Sequence, residues 1–165
     1  MKLILEKKDT LNWLLDHEGI SILDKHLNRI VKRIIGHIVR FDRYVIEELK
    51  REKPLNKYVH DSERMEKFLE VAVEKYKNDH FSRQLLVLNA DNYLEEQQCF
   101  QLMQFVNEGD GMFAAQIYQR SCDLEKFIDD LVFFANLINS FEKQTQTIVN
   151  SLTVMYGDIH KQVEN

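Results

Sequence analysis

Residues that interrupt helices are scarce in this chain, whose 165 residues include one proline and five glycines. Proline and glycine mark turns and the ends of helices, so their scarcity predicts long helices joined by short connections. The one emphatic loop is 107–111, where two glycines flank an aspartate. Strand signals are nearly absent, and the apolar run 85–89 is the only candidate strand.

Cysteine and long apolar runs are also scarce. Cys99 and Cys122 stand apart, with no CxxC pair and no histidine at zinc-ligand spacing. We therefore expect two reduced thiols in a cytoplasmic protein. No apolar run approaches the roughly 18 residues that a membrane span needs. Charge enters the N-terminal segment at Glu6, so the sequence predicts neither a membrane span nor a signal peptide.

The motifs of common catalytic sites are missing. The sequence contains no Glu-x-x-His or His-x-x-x-His pair, no P-loop and no G-x-S-x-G. We therefore predict no catalytic residue, no cofactor and no metal. One alternative stays open, because five histidines lie in the first half of the chain and could assemble a metal site: His17, His26, His37, His60 and His80.

Composition and periodicity together predict the fold class. An apolar share of 44% and a charged share of 30% are typical of a soluble globular protein, and the length suits a single domain over 1–165. Helical spacing predicts helices over 10–18, over 21–52, from about 61, from 82 to about 106, over 112–118, and from 121 onward. The predicted fold is all-α, an antiparallel bundle of about five helices.

The last predicted helix carries a heptad pattern over five repeats. One heptad position reads Leu124, Leu131, Ile138, Thr145, Leu152 and Ile159, and the position three residues later reads Phe127, Phe134, Phe141, Ile148 and Met155. Four further apolar residues lie off this stripe: Val132, Phe133, Leu137 and Val149. They predict a second buried side, which we interpret as a partner or dimer face.

The helix predicted over 21–52 has a basic side in a chain of net charge −5. On a helical wheel its basic residues, Lys50 included, fall within about 100°, and those predicted to form the binding face are Lys25, Arg29, Lys32, Arg33, Arg40 and Arg43. This stripe is a candidate binding site for nucleic acid or an acidic protein. The alternative is pairing within the molecule, with Asp123, Glu125, Asp129 and Asp130 as the expected partners.

These features favour binding over catalysis. The leading hypothesis is a non-enzymatic interaction protein, a regulator, immunity-type or adaptor module, that holds a protein partner or a second copy through helix faces. A nucleic-acid-binding accessory subunit that uses the basic stripe is the alternative. A metal-dependent hydrolase with a histidine-assembled site is the second alternative.

Overall fold

The computed structural model describes residues 1–24, 29–53, 59–82, 85–88 and 99–163. The chain is mixed α/β, so the prediction of an all-α helical bundle is wrong. Its helices are α1 (Lys2–Glu18), α2 (Arg43–Leu49), α3 (Val59–Asn78) and α4 (Phe127–Thr145). Its strands are β1 (Ile20–Asp24), β2 (Arg29–Asp42), β3 (Leu86–Leu88), β4 (Phe100–Gly109), β5 (Met112–Gln119), β6 (Cys122–Asp123) and β7 (Ile148–Gln162).

The seven strands form one mixed sheet in the order β1-β2-β7-β5-β4-β3, with β6 beside β7. Strand β7 lies at the centre: it pairs antiparallel with β2 and parallel with β5 and β6. Helix α4 forms the crossover between the parallel strands β5 and β7, as a parallel connection requires. The last strand along the chain is thus the one on which the sheet is assembled.

The segment predicted as the helix 21–52 is β1, β2 and α2 instead. Six of the fourteen residues of β2 are isoleucine or valine, and side chains branched at Cβ favour an extended backbone. Asp42 ends the strand and caps α2, because its carboxylate accepts a hydrogen bond from the Val45 amide at 3.2 Å. The short helix α2 ends well before Pro54.

The predicted C-terminal helix is confirmed only in its first part. Helix α4 ends at Thr145, and Gln146 has a left-handed backbone with φ 56°, which turns the chain into β7. The apolar stripe of α4 is buried, with Leu131, Phe134, Ile138 and Phe141 in the core. The heptad positions beyond Gln146 belong to a strand.

Three other predictions are settled by the described residues. The C-cap of α1 is Gly19, so its predicted end is confirmed. The predicted loop 107–111 is confirmed only at residues 110–111, which form the turn between β4 and β5, while residues 107–109 belong to β4; Gly109 and Gly111 have positive φ. The predicted helices 82–106 and 112–118 are wrong, because β3, β4 and β5 occupy their described residues; residues 89–98 lie outside the described part.

The core lies between the sheet and the four helices. Phe141 of α4 stacks on Phe105 of β4, with ring centroids 3.8 Å apart, and Phe113 of β5 meets its edge. On β7, Leu152, Val154 and Tyr156 are buried, as the alternation of a strand requires. None of the helices in the described segments is long and apolar enough to cross a membrane.

The side of β7 that faces the core changes along the strand. Tyr156 is buried and the next buried residue is Ile159, which is three positions away and not two. The switch falls at Gly157, opposite Gly36 of β2, where φ is +70° and regular pairing is interrupted. A Cβ at Gly157 would lie 2.8 Å from the Arg120 carbonyl oxygen, so the backbones are in close contact at this bend.

Candidate interaction surface

The predicted basic stripe does not exist as a helix face. Arg29, Lys32, Arg33 and Arg40 lie on β2, and Arg43 is the first residue of α2. Successive residues of a strand point to opposite sides, so these side chains do not share one surface. Lys25 lies outside the described residues.

Four of the predicted basic residues contact groups of the same chain. Arg29 donates to the Gln162 side chain. Lys32 donates to the Asp16 carbonyl oxygen at 2.7 Å, and Arg33 Nε lies 3.2 Å from Asp158 Oδ1.

Arg43 forms ion pairs with Glu47 and Glu142 and donates to the Val149 carbonyl oxygen at 3.0 Å. Pairing within the molecule was the predicted alternative, but its partners are not the predicted acids of the last helix.

Arg40 differs from the other four because its side chain is exposed. It lines a cleft of about 370 Å³ between β2 and α1, together with Lys7, Glu6 and Asp42. The cleft carries two cations and two anions, so its charges do not select an anion. A partly buried neighbour, His37, has a pKa lowered by burial and then by the positive charge of Lys7.

The residues predicted as a partner face lie inside the molecule. Val132, Phe133 and Leu137 on α4 are no more than 5% exposed, and Val149 on β7 is fully buried. Phe133 packs edge-on against Phe100 of β4, with ring centroids 5.9 Å apart. The second apolar side of the last helix is thus covered by this chain's own sheet and helices.

The described histidines are dispersed. His17 stacks on Trp13 and His80 on Tyr76. His26 lies outside the described residues, and nothing is described of the His60 side chain. Among the residues described, no group of three or more histidine, cysteine, aspartate or glutamate side chains is placed to hold a metal ion.

A small polar cluster surrounds His160 near the bend of the sheet. Its Nδ1 atom lies 3.5 Å from Asp158 and 3.4 Å from the Ser121 hydroxyl. In a Ser-His-Asp triad the serine hydroxyl and the orienting carboxylate contact different ring nitrogens of the histidine. Both partners here approach the same nitrogen, so the arrangement is that of a polar contact cluster.

The side of β2, β7, β5 and β4 opposite the core residues Phe41, Val154, Ile117 and Phe105 carries a regular grid of residues. The pairing register aligns three residues of each strand in three rows on this side, and one of them, Ser151, is buried. We call these twelve residues the outer face. Its rows are Ile38, Met155, Tyr118 and Leu102; Arg40, Thr153, Gln116 and Gln104; and Asp42, Ser151, Ala114 and Val106.

The first row of the outer face is apolar and accessible to solvent. Ile38 is 61% exposed, Tyr118 40% and Met155 38%, and the register makes them lateral neighbours on three adjacent strands. The Tyr118 hydroxyl lies over Gly157, where a Cβ would come within 2.9 Å of it. The ring therefore lies across the neighbouring strand.

Charge is missing from most of the outer face. None of its nine residues on β4, β5 and β7 is charged, although 30% of the chain is. The solvated side of α3 shows the usual pattern, with Glu66, Lys67, Glu70, Glu74 and Lys77 exposed. Protein interfaces are depleted of charge and enriched in tyrosine and methionine relative to the rest of a protein surface, and the outer face shares this composition.

No protein-family model matches the chain, and neither does any curated protein. The surface must therefore be interpreted from its own residues.

The strands of the outer face were missed in the sequence analysis because a helical period was assigned to their apolar residues. The signal was present in β5, where Phe113, Ala115 and Ile117 alternate with Ala114 and Gln116. An alternation of this kind predicts a strand with one side toward a core.

Proposed function

We propose that this chain is an interaction protein that holds a protein partner against the outer face of its sheet. The observation that carries the proposal is the uncharged grid on β4, β5 and β7, with the apolar row of Ile38, Met155 and Tyr118 at one end. The proposal concerns binding and assigns no reaction to the chain.

The physical reason is the cost of leaving this row in water. Burying the exposed part of side chains of this size contributes about 1 kcal/mol each. The Gln116 amide and the Thr153 hydroxyl of the second row can exchange water for hydrogen bonds to a partner at little net cost. A sheet also holds these side chains on a rigid backbone, so binding orders few groups.

The nucleic-acid alternative draws less support from the described residues. Phosphate binding needs basic side chains that are available to neutralise it, and Arg33 and Arg43 are paired with Asp158 and Glu142. The metal-hydrolase alternative has no described ligand cluster behind it. Both remain predictions from the sequence.

Photo-crosslinking in living cells tests the proposal directly. Gln116 is exposed at the middle of the outer face, and a benzophenone amino acid at this position is expected to crosslink to protein. The matched control is the same amino acid at Glu74, an exposed position on α3. Equal crosslinking from both positions, or none from position 116, would show that the outer face binds no protein.

A further inference from the structure

We infer that the interior between helix α4 and the sheet contains a binding site for one water molecule, which bridges the Tyr156 hydroxyl of β7 and the side-chain oxygen of Gln119 on β5. The inference does not depend on the proposed function, because both side chains are buried in the core and neither belongs to the outer face. It is carried by two buried polar atoms that bond to no group in the described part of the chain.

The Tyr156 hydroxyl is a buried donor that lacks an acceptor. The side chain is 1% exposed, and the residues that the structure describes offer its hydroxyl no hydrogen-bond partner. Burial raises the pKa of this hydroxyl well above its usual value, so it keeps its proton at neutral pH. The hydroxyl of a buried tyrosine usually has a partner, because an unmade bond costs the full desolvation of the group.

Gln119 supplies the matching acceptor. Its Nε2 atom donates to the Asp130 carboxylate at 2.7 Å and to the Ser121 carbonyl oxygen at 2.9 Å. These two acceptors fix the orientation of the amide, because a flipped amide would bring its own oxygen against them. The oxygen Oε1 is therefore at the other end of the amide, where it is buried and has no partner among the residues described.

The two atoms belong to neighbouring residues of the sheet. Gln119 and Tyr156 are partners in the parallel pairing of β5 with β7, and the strand spacing of about 4.8 Å brings such side chains side by side. Both side chains reach the first turn of α4. Gln119 bonds to Asp130 there, and the Tyr156 ring lies 6.0 Å from the Phe127 ring, centroid to centroid.

A water molecule satisfies both atoms at once. It accepts a hydrogen bond from the hydroxyl and donates one to the amide oxygen, whereas the two groups do not bond to each other directly. An internal water usually makes about three hydrogen bonds to buried polar groups. The Asp130 carboxylate is the third polar group of this cluster, and its charge contributes to the raised pKa of Tyr156.

The surroundings of the cluster suit a molecule as small as water. Asp130 is 8% exposed and Gln119 3%, and the neighbouring Phe127 and Cys122 are at most 1% exposed. The site is thus enclosed by the core. Gln119 already joins β5 to α4 through Asp130, and the water adds β7 to this junction, one residue before the bend at Gly157.

A crystal structure of the unaltered chain, at a resolution that shows ordered waters, tests the inference directly. We expect one water at hydrogen-bond distance, about 2.5–3.2 Å, from both Tyr156 Oη and Gln119 Oε1. A direct hydrogen bond between these two atoms, or a protein group bonded to either of them in place of water, would overturn the inference.

Tyr156→Phe tests the same bridge in solution, because it removes the hydroxyl and keeps the ring. Loss of a bridged hydroxyl is expected to raise the unfolding equilibrium constant about fivefold in urea denaturation. Deleting a hydroxyl that has no partner would instead lower this constant, since an unsatisfied buried group is destabilising. An unchanged or lower constant therefore contradicts the bridge.

The matched control is Tyr44→Phe on α2. It makes the same chemical change in a side chain that is 64% exposed, and it is expected to leave the unfolding equilibrium constant unchanged. Circular dichroism verifies that both variants are folded.

Discussion

Glu142 is the side chain whose removal we expect to cost the most stability among the charged residues described. It lies on α4 and is only 9% exposed. Its carboxylate pairs with Arg43 and Lys50 of the α2 region and accepts a hydrogen bond from the Val149 amide of β7 at 2.7 Å. One carboxylate thus joins α2, α4 and β7.

The size of the effect follows from what Glu142→Ala leaves behind. The buried Val149 amide loses its acceptor, which costs about 1–3 kcal/mol. Lys50, whose side chain is 9% exposed, keeps only Glu47 at 2.9 Å. Removing one partner of a buried ion pair costs about 3–5 kcal/mol in measured cases, and the partly exposed Arg43 lowers that figure. We therefore expect a loss of about 3 kcal/mol in the free energy of unfolding.

Urea denaturation followed by circular dichroism measures this loss as a shift of the midpoint at constant slope. Glu142→Gln keeps an oxygen for the Val149 amide and is expected to cost less. The control is Lys143→Gln, which removes a charge from an exposed neighbour on the same helix and is expected to change stability by less than about 0.5 kcal/mol. If Glu142→Ala were as mild as this control, the carboxylate would not join the three elements in the way we describe.

Three further predictions concern backbone packing, protonation and thiol reactivity. Gly157→Ala is expected to cost about 1–3 kcal/mol in urea denaturation, because its Cβ would meet the Arg120 carbonyl oxygen at 2.8 Å; an unchanged midpoint would mean that the strands are not in close contact there. Burial lowers the pKa of His37 below its usual 6.5, so the folded chain binds fewer protons than the unfolded one and stability should fall as the pH falls through 6.5 toward the lowered value. Denaturation midpoints of His37→Gln should be flatter in that window, and parallel curves would contradict the assignment. Burial raises the pKa of the Cys122 thiol, whereas Cys99 is exposed, so iodoacetamide should modify Cys99 well before Cys122 in the native protein, as mass spectrometry would show.

The period of the apolar residues explains why the fold was mispredicted. In β2 the apolar residues come in adjacent pairs, Ile30-Val31, Ile34-Ile35 and Ile38-Val39. A spacing of four residues between pairs imitates a helix. In the folded chain these pairs place one member on each side of a strand, and Gly36 adds a bend that shifts the alternation. The composition of β2 held the opposing evidence, since residues branched at Cβ favour strands.

The C-terminal region shows which predictions survive. The stripe through Phe127, Leu131, Phe134 and Phe141 is buried, because it lies in a true helix. The same heptad count runs on through Leu152 and Ile159, which are also buried, but there a strand provides the burial. The other heptad positions in this strand, Ile148 and Met155, are 49% and 38% exposed, so the heptad pattern predicted burial for only part of the strand.

The candidate surface could not be predicted because it depends on pairing between distant segments. Ile38, Met155 and Tyr118 are neighbours only after β2, β7 and β5 have aligned. A local alternation such as that of β5 predicts a strand, but it does not predict which strands become neighbours. The basic residues of β2 were interpreted as a binding stripe for the same reason. Asp158, the partner of Arg33, comes near it only after β2 and β7 have paired.

The central place of β7 has a consequence for how the molecule is made. Strands β2, β5 and β6 all bond to β7, which the ribosome synthesises after the other six strands. Until β7 emerges, β2 and β5 expose unpaired edges that favour aggregation. Contacts between segments so far apart in the chain also slow folding. We therefore expect these edges to stay unpaired in the nascent chain until β7 is synthesised.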